Sequence, residues 1–156
     1  MNKPQPTSQI SVSAEVIEPL YNRASVIIED ARNRAYHQVN ESLIRHNWEL
    51  GKMIAEEELN GEDRAKYGAS VIKELSKRLT ATYGKGFTKT NIYGYVKFYE
   101  MFPEIFHAVS GKSIQFLSWT HYRILVQELN DDARRWYESE AASQNWSVRT
   151  LQRNVV

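Results

Sequence analysis

The chain has no cysteine, which excludes disulfide staples and thiolate chemistry and suits a reducing compartment. No apolar run approaches the roughly 20 residues that a membrane span requires. The opening residues MNKPQPTSQISVS are polar and lack the apolar centre of a secretory signal. A cytoplasmic protein without membrane attachment is therefore expected. Charge of one sign is also missing: the formal net charge is +1, so no global basicity argues for nucleic acid. There is no internal repeat and no alternating strand pattern of useful length.

Catalytic constellations are equally scarce. The four histidines, His37, His46, His107 and His121, show neither metal-ligand spacing nor an orienting acid nearby. His121, beside Trp119 and Tyr122, reads as a packed or surface histidine. Glu56-Glu57-Glu58 could attract a cation but fits a solvated helix face better. Gly84-Lys85-Gly86 lacks both the G-x-x-x-x-G-K-[ST] frame and the preceding strand of a phosphate loop. No Asp or Glu has a lysine two positions later, as the metal-dependent D…[D/E]-x-K nucleases require. The sequence thus offers no catalytic residue, metal ligand or cofactor site, and an enzyme complete in 156 residues is disfavoured.

What is present is helical periodicity. An apolar fraction of 42% suffices for a real core, and the length fits one domain, or one domain plus an arm. Residues 1–12 read as a disordered leader and 13–156 as a single all-α domain. Val16, Leu20, Ala24, Ile27, Ala31, Ala35, Val39, Leu43, Leu50 and Ile54 recur three or four apart, with Asn47 interrupting the series. Pro19 is tolerated near the start and Asn60-Gly61 is a stop signal. Some forty residues would extend about 60 Å, whereas a compact chain of this size spans about 40 Å. The helix therefore projects beyond its own domain or folds back at a kink near His46-Asn47. A projecting apolar stripe wants a partner, which makes Val16, Leu20, Ala24, Ile27, Ala31 and Ala35 candidates for homodimerisation.

The centre of the chain is Val71 to Phe102. One helix, set from Glu62 to Thr82, carries Tyr67, Val71, Ile72, Leu75 and Leu79 on its apolar side and Lys66, Lys73 and Lys77 on another. Tyr83-Gly84-Lys85-Gly86 ends it, Thr88 is placed to cap the next helix, and Pro103 stops that one. Around the second helix, Ile92, Tyr95, Val96, Tyr99 and Phe102 form the core side. Lys89, Thr90, Tyr93, Gly94 and Lys97 form the opposite one. Helix, glycine turn and helix with a polar N-terminal face is the pattern of a DNA-reading helix-turn-helix. It is equally a common piece of any helical bundle. Between Val71 and Tyr99, Lys73, Lys77, Arg78, Lys85, Lys89 and Lys97 stand against Glu74 alone, whereas Glu100 to Glu140 is net acidic. This distribution fits one electropositive face, and it also fits solvated helix surfaces.

Beyond Pro103 the stretch Glu104 to Phe116 is weakly patterned. Ser118 is expected to cap a helix with Tyr122, Leu125 and Val126 inward. Asn130 or Asp131 opens another through about Ser143, with Ala133, Trp136, Tyr137 and Ala141 on its core side, and Ser147 caps a last helix. That helix is barely established at Val155-Val156, so a longer natural chain is expected.

The run NWELGKMIAEEELNGEDRAKYGASVIKELSKRLTATYGKGFTKTNIYGYVKFYEMFP resembles the N-terminal domain of the YhcG family. So do ARNRAYHQVNESLIRHNW and LSWTHYRILVQELNDDARRWYESEAASQNWSVRTLQRNV, so that Ala31 to Val155 is covered. W-x-L-G-K, Y-G-x-x-x-I-K-x-L-S, G-K-G-F, F-Y-x-x-F-P, L-S-W-[ST]-H-Y and N-W-S-V-R in that order are specific. The resemblance implies a helical DNA-binding or assembly module joined, in the full protein, to a C-terminal PD-(D/E)xK nuclease domain. The family's segment after G-K-G-F is more basic. Here only Lys89 keeps a cation in Thr88 to Tyr93, so fewer phosphate contacts and a flatter salt dependence are expected.

Two functions follow. In a DNA-binding module, Lys77, Arg78, Lys85, Lys89 and Lys97 contact phosphates and the helix start at Thr88 holds another. Thr90, Asn91 and Tyr93 then lie nearest the bases, with Asn91 suited to an adenine edge. In a pure assembly module the long helix and aromatic surfaces bind protein, and the basic face is only solvated.

Overall fold

The computed structural model describes residues 2–4, 11–58, 64–106 and 116–155, the side chains of 58 and 64–67 excepted. Among them are six α-helices and one 3-10 turn, with no strand: α1 (Ala14–Glu58), α2 (Arg64–Tyr83), the turn Lys85–Phe87, α3 (Lys89–Met101), α4 (Trp119–Leu125), α5 (Asp131–Ser143) and α6 (Val148–Asn154). The all-α fold with a long N-terminal helix stands. The stop at Asn60-Gly61, the start at Glu62, the faces given to Lys66 and Tyr67, and His107 lie outside the described residues, as does most of Glu104 to Phe116.

Helix starts follow side-chain chemistry. Thr88, Ser118, Asn130 and Ser147 each accept a bond from the backbone N–H three residues on, at Asn91, His121, Ala133 and Thr150. Each satisfies one of the orphan donors of a first turn. Ends are set differently. Gly84 has φ 95°, a left-handed conformation that glycine adopts without Cβ strain, and its N–H donates to Thr80 O at 3.0 Å. Asn145, φ 51°, closes α5 in the same region, with Trp146 N donating to Ala141 O at 3.0 Å.

The chain divides into two compact units, Met1–Tyr36 and His37–Val156. In the first, the described residues are exposed but for half-buried Ser25. The second holds the core. Ile44 and Trp48 of α1 pack with Phe98 and Phe102 of α3, Tyr122, Leu125 and Val126 of α4 and its end, Ala141 of α5 and Leu151 of α6. A second cluster joins Ile54 and Ala55 of α1 to Ile72 of α2 and Ile92 and Val96 of α3.

Gly51 is buried where α1 crosses α3. A Cβ there would stand 2.0 Å from Tyr95 O, so only glycine fits. Helix α1 continues unbroken through His46-Asn47, which removes the expected kink at that place. Asn47 does not interrupt the buried stripe but belongs to it, at 1% exposure, with its Oδ1 2.9 Å from His46 Nδ1. Beside it the Trp48 indole donates to Phe102 O at 3.0 Å.

The side chains inward on each helix differ from expectation at several positions. Phe98 rather than Tyr99 is the fully buried residue of its turn, 5.0 Å from Tyr122 and 5.1 Å from Trp119 between ring centres. Ile44 rather than Leu43 is buried. On α5 Trp136 is 55% exposed, and Arg134 takes the inward place. Its guanidinium donates to Glu128 O at 2.7 Å and pairs with Asp131. That satisfaction makes its burial tolerable. Tyr122, Leu125, Val126 and Ala141 are buried as expected, and Ala133 and Tyr137 half-buried.

Candidate nucleic-acid interface

The turn between α2 and α3 is tied at two carbonyls. Phe87 O accepts from Ser76 Oγ at 2.8 Å and Thr80 Oγ1 at 3.3 Å, both on α2. Gly86 O accepts from Tyr95 Oη at 2.8 Å and Asn91 Nδ2 at 3.2 Å, both on α3. The two helices therefore hold the turn from either side, and Lys85, Thr88, Lys89 and Thr90 remain exposed at its rim.

Eight of the nine candidates fall in three places, and Asn91 stands apart. Lys77 and Arg78 are exposed along α2. Lys85, Thr88 and Lys89 form the turn and the start of α3. Thr90, Tyr93 and Lys97, with Gly94, line a groove of about 190 Å³ whose other wall is Trp119, Arg123, Val126 and Gln127 of α4 and its end. Asn91 lies apart from that groove. It is half-buried, and its amide is committed to Gly86 O, which gives it a role in fixing the turn.

Two cations, Lys97 and Arg123, line the groove, and no carboxylate among the described residues does. Neither makes an ion pair among the described residues. Arg123 also stands close enough to Tyr95 to oppose the rise that burial imposes on that phenol's pKa. On the far side of α4 a second, more open groove of about 420 Å³ is lined by Thr120, Arg123, Ile124, Gln127, Val148, Gln152 and Val155. Among the described residues it too is lined by no Asp or Glu. Arg123 and Gln127 thus form a ridge between two grooves. Sequence reasoning missed both, because their nearness to α3 is tertiary. The available signal was the place of Arg123 on α4, next to the buried Tyr122, and of Gln127 just beyond its end.

Gly94 lies in the groove wall with backbone bare. A Cβ built there meets nothing within 4 Å, so packing inside the protein does not call for glycine. Glycine in a helix interior costs about 1 kcal/mol relative to alanine. No neighbouring helix among the described residues therefore accounts for glycine at this position.

Elsewhere, His121 is a structural residue. Its Nε2–H donates to Trp146 O at 2.7 Å, leaving Nδ1 to accept from Ser118 Oγ at 2.6 Å. A separate cavity of about 340 Å³ lies against Phe102, Tyr122, Arg134 and Glu138. Burial pushes the Glu138 carboxyl up, opposed by Arg134 and Arg135. Burial raises the Tyr122 phenol strongly, with Glu138 adding and the Leu117 N–H bond opposing. Among the described residues no group of His, Asp and Glu could hold a metal ion, and no helix is long and apolar enough to cross a membrane.

Residues 23–156 of this helical chain match the DUF1016 N-terminal domain, and the chain belongs to that family. It is 31% identical over 157 residues to the protein named "Putative nuclease YhcG" of Escherichia coli (strain K12), a match covering 83% of this chain and 42% of the relative. The chain therefore spans less than half the length of that relative. No solved structure matches it.

Proposed function

We propose that this chain is a nucleic-acid-binding module, with a DNA duplex backbone seated along the α3–α4 groove. The observation that carries the reading is the juxtaposition of Lys97 and Arg123 in a groove without carboxylates, beside the exposed Lys85, Lys89 and Thr90. Phosphates take the cations and the bare backbone at Gly94 permits close approach. Thr90, Tyr93 and Gln127 supply hydroxyl, phenol and amide groups able to reach base edges. Lys77 and Arg78 add phosphate contacts at the flank. The module performs no chemistry itself. In the longer protein it brings a PD-(D/E)xK nuclease domain to DNA in the cytoplasm, a reading supported by membership of a family whose relative is named a nuclease.

Fluorescence anisotropy of a labelled duplex across a salt series tests this. Binding with a Kd on the order of micromolar is expected at low salt, falling as salt rises with the modest slope of a few phosphate contacts. Lys97→Glu with Arg123→Glu should weaken it about tenfold or more while helicity is unchanged. Flat anisotropy at low salt would remove the DNA reading.

A second reading has its own observation. Val16, Leu20 and Ile27 are exposed together on α1, as an assembly module would have them. Unchanged DNA binding in the double variant, alongside an oligomer lost on Ile27→Asp, would favour it.

A further inference from the structure

Among the described residues of the first unit, α1 carries one exposed apolar stripe. Ile17, Leu20, Tyr21, Ile27 and Ile28 are each close to half exposed or more. Helices in water owe most of their stability to packing of an apolar face, and contiguous exposed apolar surface marks an interaction site. The spacing of the stripe is that of a coiled-coil seam: Ile17, Leu20, Ala24, Ile27 and Ala31 alternate by three and four residues, and Arg34 continues the series.

The order of sizes and charges along the seam identifies the occupant. In a parallel pair each seam residue meets its own counterpart. Leucine would meet leucine, alanine alanine, and Arg34 another Arg34. Arg23 would flank Ile28, and Asp30 would flank Ala35. In an antiparallel pair with its twofold axis between Ser25 and Val26, every one of these mismatches is resolved. Leu20 packs on Ala31 of the second copy and Ala24 on Ile27, so large meets small in each inner layer. Tyr21 flanks Ile28 of the second copy. Arg23 faces Asp30, and by symmetry the ion pair occurs twice. Arg34 falls at the end of the seam, where its long stem can cover Ile17 while its charge stays in water.

The intramolecular pairing agrees. Glu29 and Arg32 pair with each other at 3.8 Å on the side away from the seam, while Arg23 and Asp30 make no ion pair among the described residues. We infer that residues 17–34 of two copies form a symmetric antiparallel coiled coil in this register, with Arg23 and Asp30 selecting orientation. This goes beyond the nucleic-acid reading and stands independently of it, since none of these residues belongs to the groove.

The test is charge reversal and mixing with the whole 156-residue chain, followed by analytical ultracentrifugation. Arg23→Asp and Asp30→Arg, each alone, place like charges at both ion-pair sites and should weaken the dimer about tenfold. Mixing the two variants restores opposite charges at both sites, so a heterodimer as tight as the wild-type dimer is expected. Because the chain has no cysteine, orientation can be read separately. Under oxidation, Leu20→Cys should cross-link with Ala31→Cys and not with itself. A wild-type chain that stays monomeric at every concentration, a mixture no tighter than its components, or Leu20→Cys self-linkage would each overturn the inference.

Discussion

The first and last thirds of α1 carry the same kind of sequence and meet different fates. From Val16 to Ile28 the large apolar side chains are exposed, Ile27 at 68%. From Ile44 to Ala55 the inward ones, Ile44, Trp48, Ile54 and Ala55, are buried, Ile44 at 0%, and Met53 on the outer side stays exposed. Both stretches have helical apolar spacing. They differ in what covers them: α3 and α4 for the later stretch, and no described side chain of its own unit for the earlier. Periodicity reports which side chains share a face, and burial depends on whether another element reaches that face.

The sharpest way to break the comparison is at glycine. Gly51→Ala drives a methyl against Tyr95 O and should cost about 3 kcal/mol or more, read by urea denaturation. Gly94→Ala, in open space, should do the reverse. At the apolar positions, Ile44→Ala should cost about 3 kcal/mol. Ile27→Ala, measured at concentrations too low for assembly, should stay within about 0.5 kcal/mol. Equal losses at the two isoleucines would mean that the early stretch is covered after all.

Smaller effects sharpen the picture. Gly94→Ala should raise stability by up to about 1 kcal/mol through helix propensity and weaken duplex binding in the anisotropy assay. Unaltered binding would mean that nothing approaches the bare backbone. Last, Glu138 is a carboxyl raised by burial. The folded state holds its proton more firmly than the unfolded state, so its contribution is fully present in acid, below the ordinary carboxylate pKa. It is lost as pH rises through the raised value. Glu138→Gln should therefore stabilise the protein at neutral pH and gain nothing in acid, as thermal melts across pH will show.

Much of the fold was legible because its signals are local. The cap residues Thr88, Ser118, Asn130 and Ser147 act within three residues of themselves, and Gly84 and Pro103 punctuate by backbone geometry alone. The site was legible in one wall only. Thr90, Tyr93, Gly94 and Lys97 share a helix face by periodicity, so they could be grouped from sequence. Arg123 and Gln127 could not, since they come from another helix. Asn91 was assigned to a base edge because its type suits adenine, but in the fold its amide donates to the turn carbonyl of Gly86.

By itself, the sequence determined the all-α class, the four caps, the stops at Gly84 and Pro103, the apolar stripe of α1 and the family. Each depends on residue type and spacing along one segment. Only the tertiary structure decided that Asn47 and Arg134 are buried while Trp136 is not. A polar group can be buried wherever a partner satisfies it, and an indole stays exposed where no element covers it. Tertiary structure also decided that Gly51 is obligatory and Gly94 free, and that the cation completing the groove is Arg123. These are distances between segments far apart in the chain, and packing alone sets them.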